Sequence, residues 1–317
     1  MKPSNFRISV VITSYNQKDY LVEAIESVLN QTLKPFEIII VDDCSVDDSQ
    51  EIIEKYARTH AGLIRPFYHK QNLGYTRNKN FALRRVQGDL VTCLDGDDRF
   101  LPKKLEMELE TLINNPEAPI VYSNTYYIDS HGRRIGSRTD RDTLQPSGHV
   151  FRAVFSRDCP STFSNELVIY ACLLKVGFLD ERFPMYADWD MKLRLTKHFM
   201  VTYCPEILVE YRRHPGGVTS RTPPPKRLSF MKRVYKKNLP LLNDLSQADR
   251  RLIKSKLSAI FSSLAEGAAR EAMQKGHWNL AVKYWLEYSM YNPRGFSHKV
   301  FRWTCTRMPS LKMKAKE

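Results

Sequence analysis

Residues 89–98 read DLVTCLDGDD, a short apolar run that ends in three carboxylates, Asp95, Asp97 and Asp98. A run of that length predicts a β-strand. Working outward, ISVVIT (8–13), EIIIVDD (37–43), IRPFYH (64–69) and PIVYSNTYYI (119–128) have the same form. Helical patterns separate them. Tyr20, Leu21, Ala24, Ile25, Val28 and Leu29 recur along one helix face, with Asp19 as the expected N-cap. A second helix follows Ser49, a third spans about 76–86, and Pro102 is expected in the first turn of a fourth. Strand and helix in alternation predict an α/β fold, a mostly parallel sheet with crossover helices on its faces.

In an open sheet of that kind, ligands bind outside the carboxyl ends of the strands. There the sequence collects Thr13, Tyr15 and Asn16 after the first strand, Asp42 and Asp43 after the second, and Asp95, Asp97 and Asp98 after the fourth. Carboxylates so close together repel and raise one another's pKa unless a cation is present. The cluster therefore predicts a hard divalent ion, held by one or two carboxylates and completed by substrate phosphates.

The next stretch, about 126–213, is less regular, with a hairpin expected around His131 and Gly132 and a helix over 188–197. Three prolines, Pro223, Pro224 and Pro225, mark an expected linker. Beyond them Leu257, Ile260, Phe261 and Leu264 form one apolar stripe, and Ala281, Tyr284, Trp285 and Tyr288 form another after Gly276, which predicts a helical hairpin.

At 317 residues, with 42% hydrophobic and 26% charged, the chain can bury a core and matches no disordered composition. No apolar run approaches the roughly 18–20 residues a spanning helix needs. The apolar stretch after Arg7 is short and lacks a small-residue cleavage site, which argues against a secretory signal. Cys44, Cys93, Cys159, Cys172, Cys204 and Cys305 form no CxxC pair, so a reducing, cytoplasmic setting is expected. The net charge of +14 is uneven: residues 221–317 carry 21 Lys and Arg against 6 Asp and Glu, and the remainder 28 against 29. A basic end on a neutral body argues against nucleic acid as the partner. It fits peripheral contact with an anionic membrane surface, aided by Phe296, Phe301, Trp303 and the terminal SLKMKAKE, or a set of solvated helices.

Taken in order, several segments resemble family 2 glycosyltransferases of the GT-A fold. They are SVVITSYNQKDYLVEAIESVLNQT, EIIIVDDCSVDDS, NLGYTRNKNFAL, GDLVTCLDGDDRFLPKKL, GFLDERF followed by ADWDMKLRL, and YRRHPGGVTS, spread over about 6–220. The resemblance implies a Rossmann-like, mostly parallel sheet flanked by helices over 1–220, with a nucleotide-sugar half (about 6–129) and an acceptor half (about 130–220). A basic helical extension follows over 221–317. The implied activity is inverting, metal-dependent transfer from a nucleoside-diphosphate sugar, with a UDP- or dTDP-sugar favoured, to a hydroxyl of a glycan or lipid-linked acceptor. Its setting would be polysaccharide, cell-surface glycan or glycolipid synthesis.

Residue by residue, the resemblance implies that Thr13, Tyr15 and Asp42 contact the base, with Asn16 and Asp43 beside them and Arg77 toward the diphosphate. Asp95, Asp97 and Asp98 match the DXD element. There one carboxylate meets the ribose while Asp97 and Asp98, with His214, are the expected ligands of Mn2+ or Mg2+. Asp188 matches the base that takes the acceptor's proton, and Trp189 an acceptor-side aromatic. The family pattern has Glu before the base where this chain has Ala187. Asp190 competes as base, but two residues along a helix it points away from the face Asp188 serves. Gly216 and Gly217 would let the His214 segment close over the donor. Two other readings are weaker. A sugar nucleotidyltransferase would carry a glycine-rich loop after the first strand, where TSYNQKDY stands, and an inactive binding module would not retain Asp97, Asp98 and Asp188.

Overall fold

Every residue of β1 (Ile8–Ser14) and of β2 (Glu37–Asp42) is buried, as strands covered on both faces must be. The computed structural model describes residues 6–139, 145–158 and 165–293. The readings made for Cys159, Cys305, Phe296, Phe301, Trp303 and the terminal SLKMKAKE lie outside those residues. The chain divides into two units, Met1–Gly217 and Val218–Glu317.

In the first unit, β1, α1 (Lys18–Leu29), β2, α2 (Ser49–Thr59), β3 (Ile64–Tyr68), α3 (Tyr75–Leu83) and β4 (Leu90–Asp95) follow in alternation. Then come β5 (Arg99–Phe100), α4 (Lys104–Asn114), β6 (Ile120–Ile128), β7 (Arg134–Ser137) and α5 (Phe151–Ser156). β8 (Leu167–Ile169), α6 (Tyr170–Val176), α7 (Ala187–His198) and β9 (Val201–Arg212) complete it. The sheet order is β3-β2-β1-β4-β8-β6-β9-β5, with β7 paired to β6. Strands β3, β2, β1 and β4 are parallel, in registers that set Ser14 beside Asp42 and Thr13 beside Asp95. Short β8 is antiparallel to both β4 and β6, so the sheet is mixed beyond β4. β6 and β9 pair in parallel with register shifts about Asn124, where β9 bulges past Pro205, a residue with no N–H to give.

The core beneath the site joins Val10 and Ile12 of β1, Ile38 and Ile40 of β2 and Leu94 of β4 to Leu21, Ala24 and Ile25 of α1. Two helix starts differ from the sequence reading. The N-cap of α1 is Gln17, and Asp19 lies inside the first turn, where its charge favours the positive helix end. Pro102 precedes the N-cap, Lys103, of α4 and shapes the turn before the helix.

The second unit holds α8 (Val218–Arg221), α9 (Pro224–Asn238), a 3₁₀ turn (Leu239–Leu242), α10 (Gln247–Gln274) and α11 (Trp278–Tyr291). The triple proline is therefore a helix start, because a first turn has no use for the missing N–H groups of Pro224 and Pro225. Ser246 caps α10 by accepting from the Asp249 N–H. The helix ends at Gly276, whose φ of 75° allows the His277 N–H to return to Ala272 O and its own N–H to Met273 O. The hairpin of α10 and α11 forms as expected. Leu257, Phe261, Ala281, Trp285 and Tyr288 are buried in it, whereas Ile260, Leu264 and Tyr284 are only part-buried. Among the described residues no helix is long and apolar enough to cross a membrane.

Candidate active site

The carboxyl ends of β1, β2 and β4 meet at one edge of the sheet. Gly96 is required there, because a Cβ would stand 2.9 Å from Thr13 O, the carbonyl to which the Gly96 N–H donates at 2.9 Å. The turn after it, Asp98 N–H to Asp95 O at 2.9 Å, sends the three carboxylates in different directions.

Asp95, one-third exposed, accepts from Thr13 Oγ1 at 3.2 Å and from Lys79 Nζ at 3.3 Å, and the Tyr75 hydroxyl lies 3.5 Å from its Oδ2. Lys79 and Tyr75 are one turn apart on α3, and Lys79 Nζ also donates to the Tyr75 oxygen at 2.7 Å. Burial alone would pull the Lys79 pKa down, but Asp95, with Tyr75 and Cys93, outweighs it and holds the ammonium charged well above its ordinary range. Tyr75 is pushed up, by burial first and by Asp95 next, and Asp188 acts on the same hydroxyl. Lys79 and Tyr75 were not singled out in the sequence; their i,i+4 spacing after Gly74 was the only available signal.

Asp97 keeps 17% of its side chain exposed, and His214, just past the end of β9, sets Nε2 2.9 Å from its Oδ2. The imidazole rests edge-on against Tyr20, 5.0 Å between ring centroids. Asp98 differs from the expected exposed ligand. It is 2% exposed, and its Oδ1 accepts the Arg212 N–H at 2.8 Å. Burial, then the charges of Asp97 and Asp95, push its carboxyl well above the usual range. Arg212, wholly buried, fixes this loop: its Nε donates to Asp97 O at 2.8 Å and a terminal nitrogen to Glu23 at 2.7 Å.

The residues after β1 and β2 divide into an open ring and a set of loop clamps. Tyr15 is 44% exposed and offers a free face. Asp42 is fully buried, its Oδ1 accepting from the Ser45 N–H and Gln50 Nε2 at 2.8 Å and its Oδ2 from Ser45 Oγ at 2.5 Å. The base-accepting role expected of Asp42 is thus occupied by its own turn. Asp43, also expected at the nucleotide, accepts the N–H groups of Leu73 and Gly74 at 2.7 and 2.8 Å and holds the entry to α3. Asn16 ties the first loop to the second through Ser45 and the Val46 N–H. Arg77 is 59% exposed and pairs with Glu181 at 3.6 Å.

Asp188, half exposed, lies in the first turn of α7, whose N-terminus favours negative charge. Asp190 is fully buried against Arg194 at 3.0 Å, as its helix position predicts. Trp189 is a correction. It is fully buried, its Nε1 donating to Val154 O at 3.0 Å and its ring packed on Phe155, so it supports α5 and presents no face to an acceptor.

Whether these residues suit a divalent cation can be judged from their donors. Among the described residues no three His, Cys, Asp or Glu side chains enclose a metal by themselves. Asp97 Oδ2 and His214 Nε2 suit two places of a shell whose remainder phosphate and water would fill, and Asp98 does not.

The sequence profile of Glycosyl transferase family 2 matches residues 9–163. An uncharacterized glycosyltransferase of Methanocaldococcus jannaschii is 28% identical over 238 residues, 73% of this chain and 76% of that protein. The Bacillus subtilis protein TuaG, named for teichuronic acid biosynthesis, is 38% identical over 120 residues, 38% of this chain and 46% of its own length. This chain thus spans less than half of that relative. Among solved structures, S. aureus TarS 1–349 in complex with UDP-GlcNAc superposes with a TM-score of 0.61 at 16% identity, covering 90% of this chain and 91% of that one. That likeness shows the GT-A fold, as the sheet order does. Profile, relatives and fold agree that residues 9–163 are those of a glycosyl transferase of family 2.

Proposed function

We propose that this chain transfers a sugar, with inversion, from a nucleoside-diphosphate sugar to a hydroxyl acceptor in the synthesis of a cell-surface polysaccharide or glycolipid. The observation that carries the reading is the geometry of the carboxyl edge, where Asp95 accepts from Thr13 and Lys79, and Asp97, in the same turn, stands 2.9 Å from His214 Nε2. The half-exposed Asp188 at the start of α7 supplies the carboxylate this reading assigns to the acceptor. The relative named for teichuronic acid and the TarS complex with UDP-GlcNAc point the same way.

In this reading the base stacks on Tyr15 between the two loops that Asn16 joins, with Thr13 at the strand end. Asp95 takes the ribose, and Arg77 and Lys79 face the diphosphate. Mn2+ or Mg2+ would be held by Asp97 and His214, and when bound it offsets charge on the departing diphosphate. The acceptor oxygen attacks the anomeric carbon opposite that phosphate, the glycosidic C–O bond breaks with its electron pair going to the diphosphate, and Asp188 takes the acceptor's proton. A panel of UDP-, dTDP- and GDP-sugars, scored by nucleoside diphosphate release with Mn2+ or EDTA, tests this. UDP or dTDP donors are expected to lead, with activity lost in EDTA and in Asp188→Asn. GDP-sugar preference, or full activity in EDTA, would overturn the corresponding part.

The second unit is proposed to rest on an anionic lipid surface. Trp278, Val282, Leu286 and Met290 line one exposed face of α11 at four-residue spacing, opposite the buried Ala281, Trp285 and Tyr288. Residues 218–293 carry 14 Lys and Arg against 5 Asp and Glu, which disfavours a second copy and complements anionic headgroups. The full chain should sediment with phosphatidylserine vesicles at low salt and be released at high salt, and Leu286→Glu should weaken it. Vesicle-independent dimers lost on the same substitution would instead assign the face to a second copy.

A further inference from the structure

One helical turn beyond Asp188, Lys192 turns inward. Its side chain is 4% exposed, against 50% for Asp188. Its Nζ lies 3.9 Å from Asp188 Oδ2 and 3.9 Å from Glu166 Oε2, which precedes β8 and is itself 11% exposed. At that separation the link is electrostatic rather than a hydrogen bond, and the low dielectric around a buried ammonium strengthens it. A solvated surface pair would carry little; this one is enclosed on the lysine side.

We infer that Lys192 is a positioning residue for the Asp188 base, dividing one buried charge between Asp188 and Glu166. The inference rests on the reading of Asp188 as the base. Among the described residues, Arg138 after β7 and Lys79 on α3 also act on Lys192, and Tyr75 shares its field with Asp188. Burial lowers the Lys192 pKa, Glu166 and then Asp188 raise it, and Arg138 and Lys79 lower it again. In the acid range where a carboxyl titrates, the ammonium stays charged.

The arrangement requires opposite responses from its two ends. Without the ammonium, Asp188 loses its nearest positive charge while the Glu166 charge stays, and it holds its proton more tightly. Without the Glu166 charge, the ammonium acts on Asp188 undivided and its proton is lost more readily. A purely structural lysine would move neither.

The test is a 13C NMR titration of the full-length chain labelled at aspartate carboxyl carbons, with Asp188 assigned as the resonance missing in Asp188→Asn. Lys192→Met is expected to raise the Asp188 titration by about one pH unit, and Glu166→Gln to lower it in the opposite sense, while Lys192→Arg restores it. The acid limb of the turnover profile should follow. An Asp188 resonance that stays in place in both neutralised variants, or moves the same way in both, overturns the inference even if Asp188→Asn is inactive. Should Lys192→Met fail to fold, Glu166→Gln decides alone. If Asp188→Asn keeps full turnover, the reading of the base fails instead, and this inference with it.

Discussion

His214 Nε2 and Asp97 Oδ2 stand 2.9 Å apart, joining the end of β9 to the turn after β4. If the pair serves a cation at the diphosphate, His214→Ala should weaken Mn2+-dependent UDP binding by about tenfold or more, as loss of a ligand or its support does. Asp97→Asn should abolish the metal-dependent increment. Calorimetry with UDP, with and without Mn2+, checks both. Equal UDP affinity with and without Mn2+ in the wild-type chain would remove the metal from this site.

Asp98 supplies a pH-dependent expectation in metal-free buffer. Its folded pKa is raised above the unfolded value by burial and by Asp97 and Asp95. Stability from the protonated form is complete below the unfolded value, about 4, and is lost as pH rises through the folded one. Asp98→Asn keeps an oxygen for the Arg212 N–H and cannot ionise. It should raise Tm by about 2–4 °C at neutral pH, with the gain vanishing toward pH 4. A gain that is independent of pH would mean the carboxyl is not the cause.

Arg212 has no exposed side-chain surface and donates to Asp97 O and Glu23. Arg212→Leu should cost about 3–5 kcal/mol in urea unfolding, because Glu23 and the carbonyls of Asp97, Asp129 and Ser130 lose a buried cation. Arg212→Lys should retain part of that. A loss under about 1 kcal/mol would show that the loop is held by other contacts.

Trp189 separates core from pocket. Trp189→Phe removes the donor to Val154 O and some volume, and is expected to cost about 1–3 kcal/mol of stability. Turnover below the unfolding range should be unchanged. A KM for acceptor that rises without any fall in Tm would return the residue to the acceptor side.

Much of the fold was legible because its signals are local. Short apolar runs define β1 to β4, helical spacing defines α1 and α10, and the alternation of strand and helix implies a parallel half-sheet with its carboxyl edge at Thr13, Asp42 and Asp95. The pairing of short β8 between β4 and β6 had no such signal, since three residues carry no period.

Which carboxylates remain available was decided by tertiary structure. Asp42 and Asp43 read as site residues by position, yet each is closed off by N–H groups from its own turn or from the approach to α3. Asp98 is capped by β9, and Trp189 is drawn under α5. The same assembly brings His214 to Asp97 and Glu166 to Lys192. The sequence by itself determined which residue types arrive at the sheet edge, because chain order and hydrophobic period set that. Only the folded chain decided which of them face the site, because a buried polar group turns toward the partner that satisfies it, and those partners come from distant segments.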